Sequence, residues 1–161
     1  MAQIKTQGTE LYFVDNTTTS VGVVTKLTCP TGITGITAGA STQIDATCLD
    51  TVDDMEYVSG LGNPGTVTVP FILDPQAASH QALFDLKQSK DRIEWIACLS
   101  EGDDVPVLDT NGDFVPPTDR SSIAFTAYVA DLDIDISTNE IVRGTLTLQR
   151  SGGYTFTPKA P

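Results

Sequence analysis

The clearest alternation of apolar and polar residues in this chain lies between residues 65 and 74. Apolar side chains occupy every second position, which is the period-2 pattern of a strand with one buried face. The buried positions are Val67, Val69, Phe71 and Leu73, and the opposite positions are Thr66, Thr68, Pro70 and Ile72. The pattern predicts a long strand that ends at Asp74.

A helix is predicted directly after this strand. Asp74 is a favourable N-cap, because its carboxylate accepts hydrogen bonds from the free amides of the first turn, and Pro75 is tolerated at that point. The helical period continues from residue 76 to about residue 90. Its apolar stripe comprises Ala78, Ala82, Leu83 and Leu86. No other segment of the sequence shows this period, so we predict a mainly β chain with one helix laid against the sheets.

Shorter alternations predict the remaining strands. Residues 42–48 place Ile44, Ala46 and Cys48 on the inward face, and residues 92–99 form an apolar strand around the single tryptophan. These strands leave little sequence for further helices.

A shift of the apolar face marks the segment 123–136. Its apolar residues stand at odd positions up to Val129 and at even positions from Leu132. Because a one-residue shift moves side chains to the other face of a sheet, we expect a bulge or bend at residues 129–131. Beyond it, Asp131, Asp133 and Asp135 form a row on one face. The row is either an ordinary solvated sheet face or an acidic lining that prevents a polyanion from adhering.

The 161 residues suit a single domain. It includes an N-terminal arm (residues 1–8), a long acidic loop (100–121) and a C-terminal tail (151–161), which is either a second arm or a closing edge strand. Within the loop, Asn111 and Gly112 favour a tight hairpin turn flanked by short strands. A loop of this length is usually functional or mobile.

The formal net charge is −12. Such a surface repels nucleic acid and anionic membranes, although the same charge also serves solubility. The three cysteines have no C-x-x-C spacing, and the sequence contains no recognisable secretory leader and no apolar run of about 18 residues. We therefore expect reduced core thiols, a cytosolic setting and no membrane segment.

The sequence offers little for catalysis or metal binding. Its single histidine, His80, has no nucleophile motif beside it, and we interpret it as a helix-surface or interface residue. Asp109 and Asp113 resemble the opening of a calcium loop, but Phe114 stands where such a loop requires glycine and Arg120 where it requires glutamate. We predict no enzymatic activity, no metal and no cofactor.

Several segments in combination resemble the tail tube proteins of long-tailed bacteriophages. They are TCPTGITGI (residues 28–36), QIDATCLD (43–50), GLGNPGTVTVPFILDP (60–75) and SHQALFDL (79–86). The resemblance covers about residues 9–99 well and the remainder loosely. The spacing of turn, strand, Asp-Pro and helix is its strongest part.

This resemblance implies a β-sandwich or barrel-like fold with one flanking α-helix. It implies a structural virion subunit, assembled in the host bacterial cytoplasm, of which six copies form a ring. Rings stack around the tape measure protein into a tube that later conducts double-stranded DNA without binding it specifically. Tail terminator and baseplate or distal tail proteins are the further implied partners. The alternative is a monomeric or dimeric β-sandwich that binds to or decorates a viral particle.

Within such a tube, three groups of residues are expected to act. The expected lumen-facing positions are Asp131, Asp133, Asp135, Thr66, Thr68, Thr145 and Thr147. The expected ring-to-ring contacts are Asp103, Asp104, Asp109, Asp113, Gln3 and Lys5. On the helix, His80, Phe84 and Lys87 are expected at a subunit boundary.

Overall fold

A computed structural model describes residues 3–17 and 19–161 of the chain. The strands are β1 (Glu10–Asp15), β2 (Val23–Lys26), β3 (Ser41–Asp45), β4 (Tyr57–Gly62), β5 (Thr66–Ile72), β6 (Ile93–Cys98), β7 (Val107–Leu108), β8 (Phe114–Val115), β9 (Ser122–Asp135) and β10 (Arg143–Thr157). One helix, α1 (Ala78–Ser89), lies between β5 and β6. The predicted mainly β fold with one helix is confirmed. The first two residues of the predicted N-terminal arm lie outside the described residues.

Six strands form one antiparallel sheet in the order β2-β1-β6-β9-β10-β5. The long hairpin of β9 and β10 connects β6 on one side with β5 on the other. β6 pairs with β9 as far as Ala127, and β5 pairs with β10 as far as Gln149. The residues 151–157, which lie in the predicted tail, continue β10, and residues 154–157 pair with the start of β9.

The bulge predicted at residues 129–131 is confirmed. Val129 lies opposite Leu148 and Asp131 opposite Thr147, so that Ala130 is an extra residue in the ladder. The extra residue transfers the apolar face from odd to even positions, as the sequence pattern required.

One main apolar core holds the sheet together. Strands from both halves of the sheet contribute side chains to it, with β1 and β6 on one side and β5 and β10 on the other. Phe13 of β1 and Trp95 of β6 have ring centroids 5.0 Å apart. They belong to the same apolar cluster as Val69 of β5 and Leu146 of β10, and all four are fully buried. The two halves of the sheet therefore enclose a common interior, with Leu83 of α1 packed into it.

The helix begins later than predicted. Asp74 is not its N-cap, because the Asp74 carboxylate accepts a hydrogen bond from the Gln76 amide (3.0 Å) and stabilises a turn that precedes the helix. The N-cap is Ala77, which has no capping side chain. The first residue of the expected stripe, Ala78, is exposed, and the buried face is formed by Ser79, His80, Ala82, Leu83 and Leu86.

The prediction that residues 42–48 face the core was wrong. Strands β3 and β4 form a separate two-stranded hairpin, and every residue of β3 is exposed. Cys48 and Cys29 are exposed as well, so that of the three expected core thiols only Cys98 is buried. A two-stranded ribbon shows the same alternation as a half-buried strand, which is why the sequence pattern suggested a core position.

The long acidic loop is packed against the sheet for part of its length. Its short strands β7 and β8 flank Asn111 and Gly112, as expected from that dipeptide. Phe114 is buried in a second apolar cluster, where it joins Tyr12 of β1 and Ile96 of β6. The loop therefore has a fixed base and an exposed acidic rim.

Candidate functional site: a polar sheet face and an exposed hairpin

Three neighbouring strands carry the expected lumen-facing residues on one face of the sheet. Asp131 lies opposite Thr147, which lies opposite Thr68, and Asp133 lies opposite Thr145. Residues that are directly opposite share a face and lie about 5 Å apart at their Cβ atoms. The structure thus brings together all seven expected positions: Asp131, Asp133, Asp135, Thr66, Thr68, Thr145 and Thr147. They lie on the side of the sheet opposite its buried apolar residues.

The electrostatics of this polar face are dominated by the three aspartates. Sequence reasoning missed Arg143, which is exposed directly opposite Asp135. The register of the β9–β10 hairpin is the signal that would have placed it there. Lys87 of α1 also reaches this region, with its Nζ atom 3.3 Å from Asp131. Both partners are substantially exposed, so the pair contributes little to stability and the face stays acidic and wet.

The polar face has two edges, here called margins, of which one lies along β5 and the other along residues 128–135 of β9. Other residues of the chain cover the β5 margin. Outside β5, the amides of Thr31 and Thr34 donate to the carbonyls of Pro70 (2.8 Å) and Thr68 (3.0 Å). Pro70 has no amide to donate, and its position at this margin leaves the ladder between β5 and β10 intact. At the other margin, within the described part of the chain, residues 128–135 of β9 have no strand partner on the β6 side, because β6 begins only at Ile93, opposite Ala127.

The prediction for His80 was wrong. Its side chain is buried, with Nε2 2.8 Å from the Thr28 carbonyl oxygen and Nδ1 3.0 Å from the Asp74 amide. This geometry fits a ring whose Nε2–H donates and whose Nδ1 accepts. His80 therefore ties α1 to the chain before β5 and has no surface to offer a neighbouring subunit. Phe84 and Lys87 on the same helix are exposed.

The residues expected to contact a neighbouring ring are exposed, and they lie on the acidic loop and the N-terminal segment. They are Asp103, Asp104, Asp109, Asp113, Gln3 and Lys5. The Asp109 carboxylate is already used within the loop, because it accepts hydrogen bonds from the amides of Asn111 (2.8 Å) and Asp113 (3.0 Å). Its geometry is that of a hairpin turn.

An ionic cluster anchors the base of this loop. The Arg120 guanidinium is buried and donates to the Glu10 carboxylate (3.0 Å), which also accepts from Lys26 and from the Tyr12 hydroxyl (2.6 Å). Burial alone would raise the pKa of Glu10, but the hydrogen bonds from Lys26, Tyr12 and Arg120 lower it to about 2. Burial and the bond to Glu10 raise the pKa of Tyr12 to about 12.

The β3–β4 hairpin exposes an unusual amount of apolar surface. Leu49, Val52 and Leu61 are at least 87% exposed, and four further large apolar side chains of the segment are more than half exposed. Those four are Ile44, Met55, Tyr57 and Val58. Exposed apolar clusters of this kind typically mark protein–protein contacts.

The described residues form no evident catalytic constellation. A surface cleft of about 700 Å³ is lined by residues of the N-terminal segment, the 30–36 segment and the sheet, and none of the lining side chains is ionisable. Across residues 3–17 and 19–161, no group of three or more His, Cys, Asp or Glu residues is placed to hold a metal ion. The described helix is too short and too polar to cross a membrane.

Comparison with known proteins gives this architecture a family. The family described as "Phage tail tube, TTP, lambda-like" matches residues 2–160. The chain belongs to this family. A curated relative, "Structural protein 3" of Pseudomonas phage PAJU2, is 35% identical over 161 residues, covering 98% of this chain and 95% of that protein.

Solved structures share the fold at much lower identity. The SPP1 tail tube protein matches with a TM-score of 0.62 and 14% identity, covering 99% of this chain and 81% of that chain. A protein from the virion of a native gene transfer agent particle matches with a TM-score of 0.66 and 11% identity, covering 97% and 99%. One from the baseplate of the anti-feeding prophage matches with a TM-score of 0.67 and 8% identity, covering 98% and 97%.

Family membership fixes the general role. This tail tube protein is a structural component of the phage tail, and hence of the virion, and its family is structural rather than enzymatic. The resemblance recognised in the sequence segments is thereby confirmed. The family decides for a tail tube subunit over the binding or decoration module that the sequence left open.

Proposed function

We propose that six copies of this tail tube protein form a ring, that rings stack into a hollow tube, and that the polar sheet face lines its lumen. The observation that carries the proposal is the gathering of seven exposed or half-exposed polar positions on one face of β5, β9 and β10. The core and α1 lie behind that face. A wet lumen wall requires such a two-sided sheet, with α1 outside it.

The cargo of the tube is double-stranded DNA, which passes without specific binding. Asp131, Asp133 and Asp135 carry the same charge as the DNA phosphates, so the wall repels the cargo and keeps it from adhering. A basic wall would instead hold DNA through many weak phosphate contacts. Before the DNA enters, the same lumen holds the tape measure protein.

We expect contacts between copies at three exposed surfaces: the β3–β4 hairpin, the rim of the acidic loop together with the N-terminal segment, and α1. The β3–β4 hairpin docks onto neighbouring copies, because its apolar side chains have no cover within the chain. The exposed rim of the acidic loop and the segment around Gln3 and Lys5 contact the next ring. Phe84 and Lys87 lie at a boundary within the ring. Tail terminator and baseplate proteins cap the two ends of the tube, and the fold match to a chain in the anti-feeding prophage baseplate structure supports a shared fold at such an end.

Cryo-electron microscopy of tubes grown from the purified chain tests the arrangement. We expect six subunits per ring, with Asp133 at the lumen and α1 on the outer side. A reconstruction with α1 in the lumen, or one in which basic side chains dominate the wall, would overturn the assignment.

Replacement of Asp133 by Lys tests the acidic lining. We expect particles built with Asp133→Lys subunits to assemble tubes and to release DNA several-fold more slowly. Asp91→Lys is the matched control, since Asp91 is also exposed but lies between α1 and β6, outside the three strands of the polar face. Equal DNA release rates for the two variants would refute repulsion by the wall.

A further inference from the structure

The open margin of β9 is not bare in the single chain. The backbone of Leu132 points outward there, and two side chains occupy it. The Asp131 carboxylate accepts from the Leu132 amide (2.9 Å), and the Lys87 ammonium donates to the Leu132 carbonyl (3.3 Å). The same Asp131 oxygen accepts from Lys87 (3.3 Å). We call Lys87 and Asp131 the edge cap.

The edge cap covers the hydrogen-bonding groups that an added strand would need. In an antiparallel ladder, successive residues direct their N–H and C=O groups alternately to the two neighbours. Since the Leu132 groups face the open side, those of Ile134 face it too. Residues 128–135 thus form a strand edge that is ready to pair with another strand once the edge cap has left Leu132.

We propose that residues 128–135 are the margin to which a second copy of this chain adds its own segment, and that the edge cap closes this margin in the free subunit and must open for assembly. The inference rests on the proposed ring, whose neighbouring sheets must join at some margin.

The partner segment is the stretch that covers the opposite margin of the polar face. A ring contact is head-to-tail, so one margin of each copy meets the other margin of the next. The opposite margin is formed by residues 29–34, which pair with β5. The whole stretch 28–40 carries no charged residue. An uncharged segment is the appropriate partner beside three aspartates, because acidic side chains placed opposite them would repel.

Lys87 tests the edge cap directly. We expect Lys87→Met to lower the protein concentration at which rings or tubes appear by about two- to fivefold. The wild type must break the exposed Lys87–Asp131 ion pair before a second copy can pair with β9, whereas the variant has no such pair to break. Lys90→Met is the matched control, since Lys90 is the C-cap residue of the same helix and its loss changes the net charge equally. The difference between the variants should vanish near 1 M salt, where the screening length is about 3 Å.

The measurement combines light scattering with negative-stain microscopy over a concentration series, after circular dichroism has shown equal melting of the variants. Equal thresholds for the two variants, or a higher threshold for Lys87→Met, would overturn the edge cap. A wild-type chain without rings or tubes at any concentration would instead remove the proposed function, and the inference with it.

Cross-linking locates the margin independently. Cys29 is exposed in the partner segment, so Asp133→Cys or Asp135→Cys, each in a Cys48→Ser background, should yield disulfide-linked ladders of up to six subunits when assembled tubes are oxidised. Cys29→Ser in the same variants should abolish the ladder. Oxidised tubes without any Cys29-dependent ladder would refute the proposed pairing.

Discussion

Replacement of Glu10 by glutamine should destabilise the folded chain at neutral pH and have no effect near pH 2. Glu10 is the shared acceptor of Lys26, Tyr12 and the buried Arg120, and these contacts hold the base of the acidic loop on β1. The glutamine side chain keeps the size of glutamate and resembles its protonated form, because it lacks the charge and carries an NH2 donor in place of one accepting oxygen. The substitution therefore imposes at every pH the state that Glu10 reaches only when it is protonated.

The magnitude follows from the pKa of Glu10, which falls from 4.5 to about 2 on folding. A shift of this size corresponds to about 3 kcal/mol, and solvent screening of a partly exposed carboxylate reduces it to about 2 kcal/mol. Because the folded pKa is the lower one, this stability is fully present above about pH 5. It is lost as the pH falls from about 5 towards 2, where the folded protein also takes up the proton.

Urea unfolding of the dilute monomer at a series of pH values provides the assay. We expect the free energies of unfolding of the wild type and Glu10→Gln to differ by about 2 kcal/mol at pH 7 and to converge near pH 2. Glu140→Gln, at an exposed turn position, should follow the wild type throughout. A difference that stays constant with pH would show that the substitution acts through packing, and the electrostatic explanation would fail.

Three further outcomes are expected from single substitutions. Gly144→Ala should lower the free energy of unfolding by about 1–3 kcal/mol, because the added methyl would lie 2.5 Å from the Phe71 ring. Gly153→Ala is the control and should leave the free energy of unfolding unchanged, because the space around Gly153 is open. Urea titrations measure both variants. His80→Ala should cost about 2–4 kcal/mol in the same assay, since it leaves the Asp74 amide and Thr28 carbonyl without their buried partner. Leu49→Ser should leave the melting temperature unchanged and raise the concentration at which tubes form, which light scattering measures.

The sequence by itself determined the features that local periodicity encodes. The alternation in β5, the shift of face at Ala130 and the row of aspartates follow from a side-chain period of two residues, which depends on nothing outside the strand. The helical stripe likewise predicted α1, although its first turn was placed too early because Asp74 and Pro75 fit a preceding turn as well as a helix start. These patterns, combined in a characteristic spacing, also carried the resemblance to the tail tube family.

Only the tertiary structure decided what lies against each face and along each edge. The β3 pattern resembles that of a core strand, yet β3 pairs with β4 alone and stays exposed. The sequence around His80 does not indicate that its side chain is buried. Its hydrogen-bond partners are backbone groups of Thr28, which is distant in sequence, and of Asp74, which lies outside any helix or strand. The cap over Leu132 depends on a lysine 45 positions away in sequence. Periodicity fixes the orientation of side chains within an element, whereas contacts between elements arise only when the whole chain has packed.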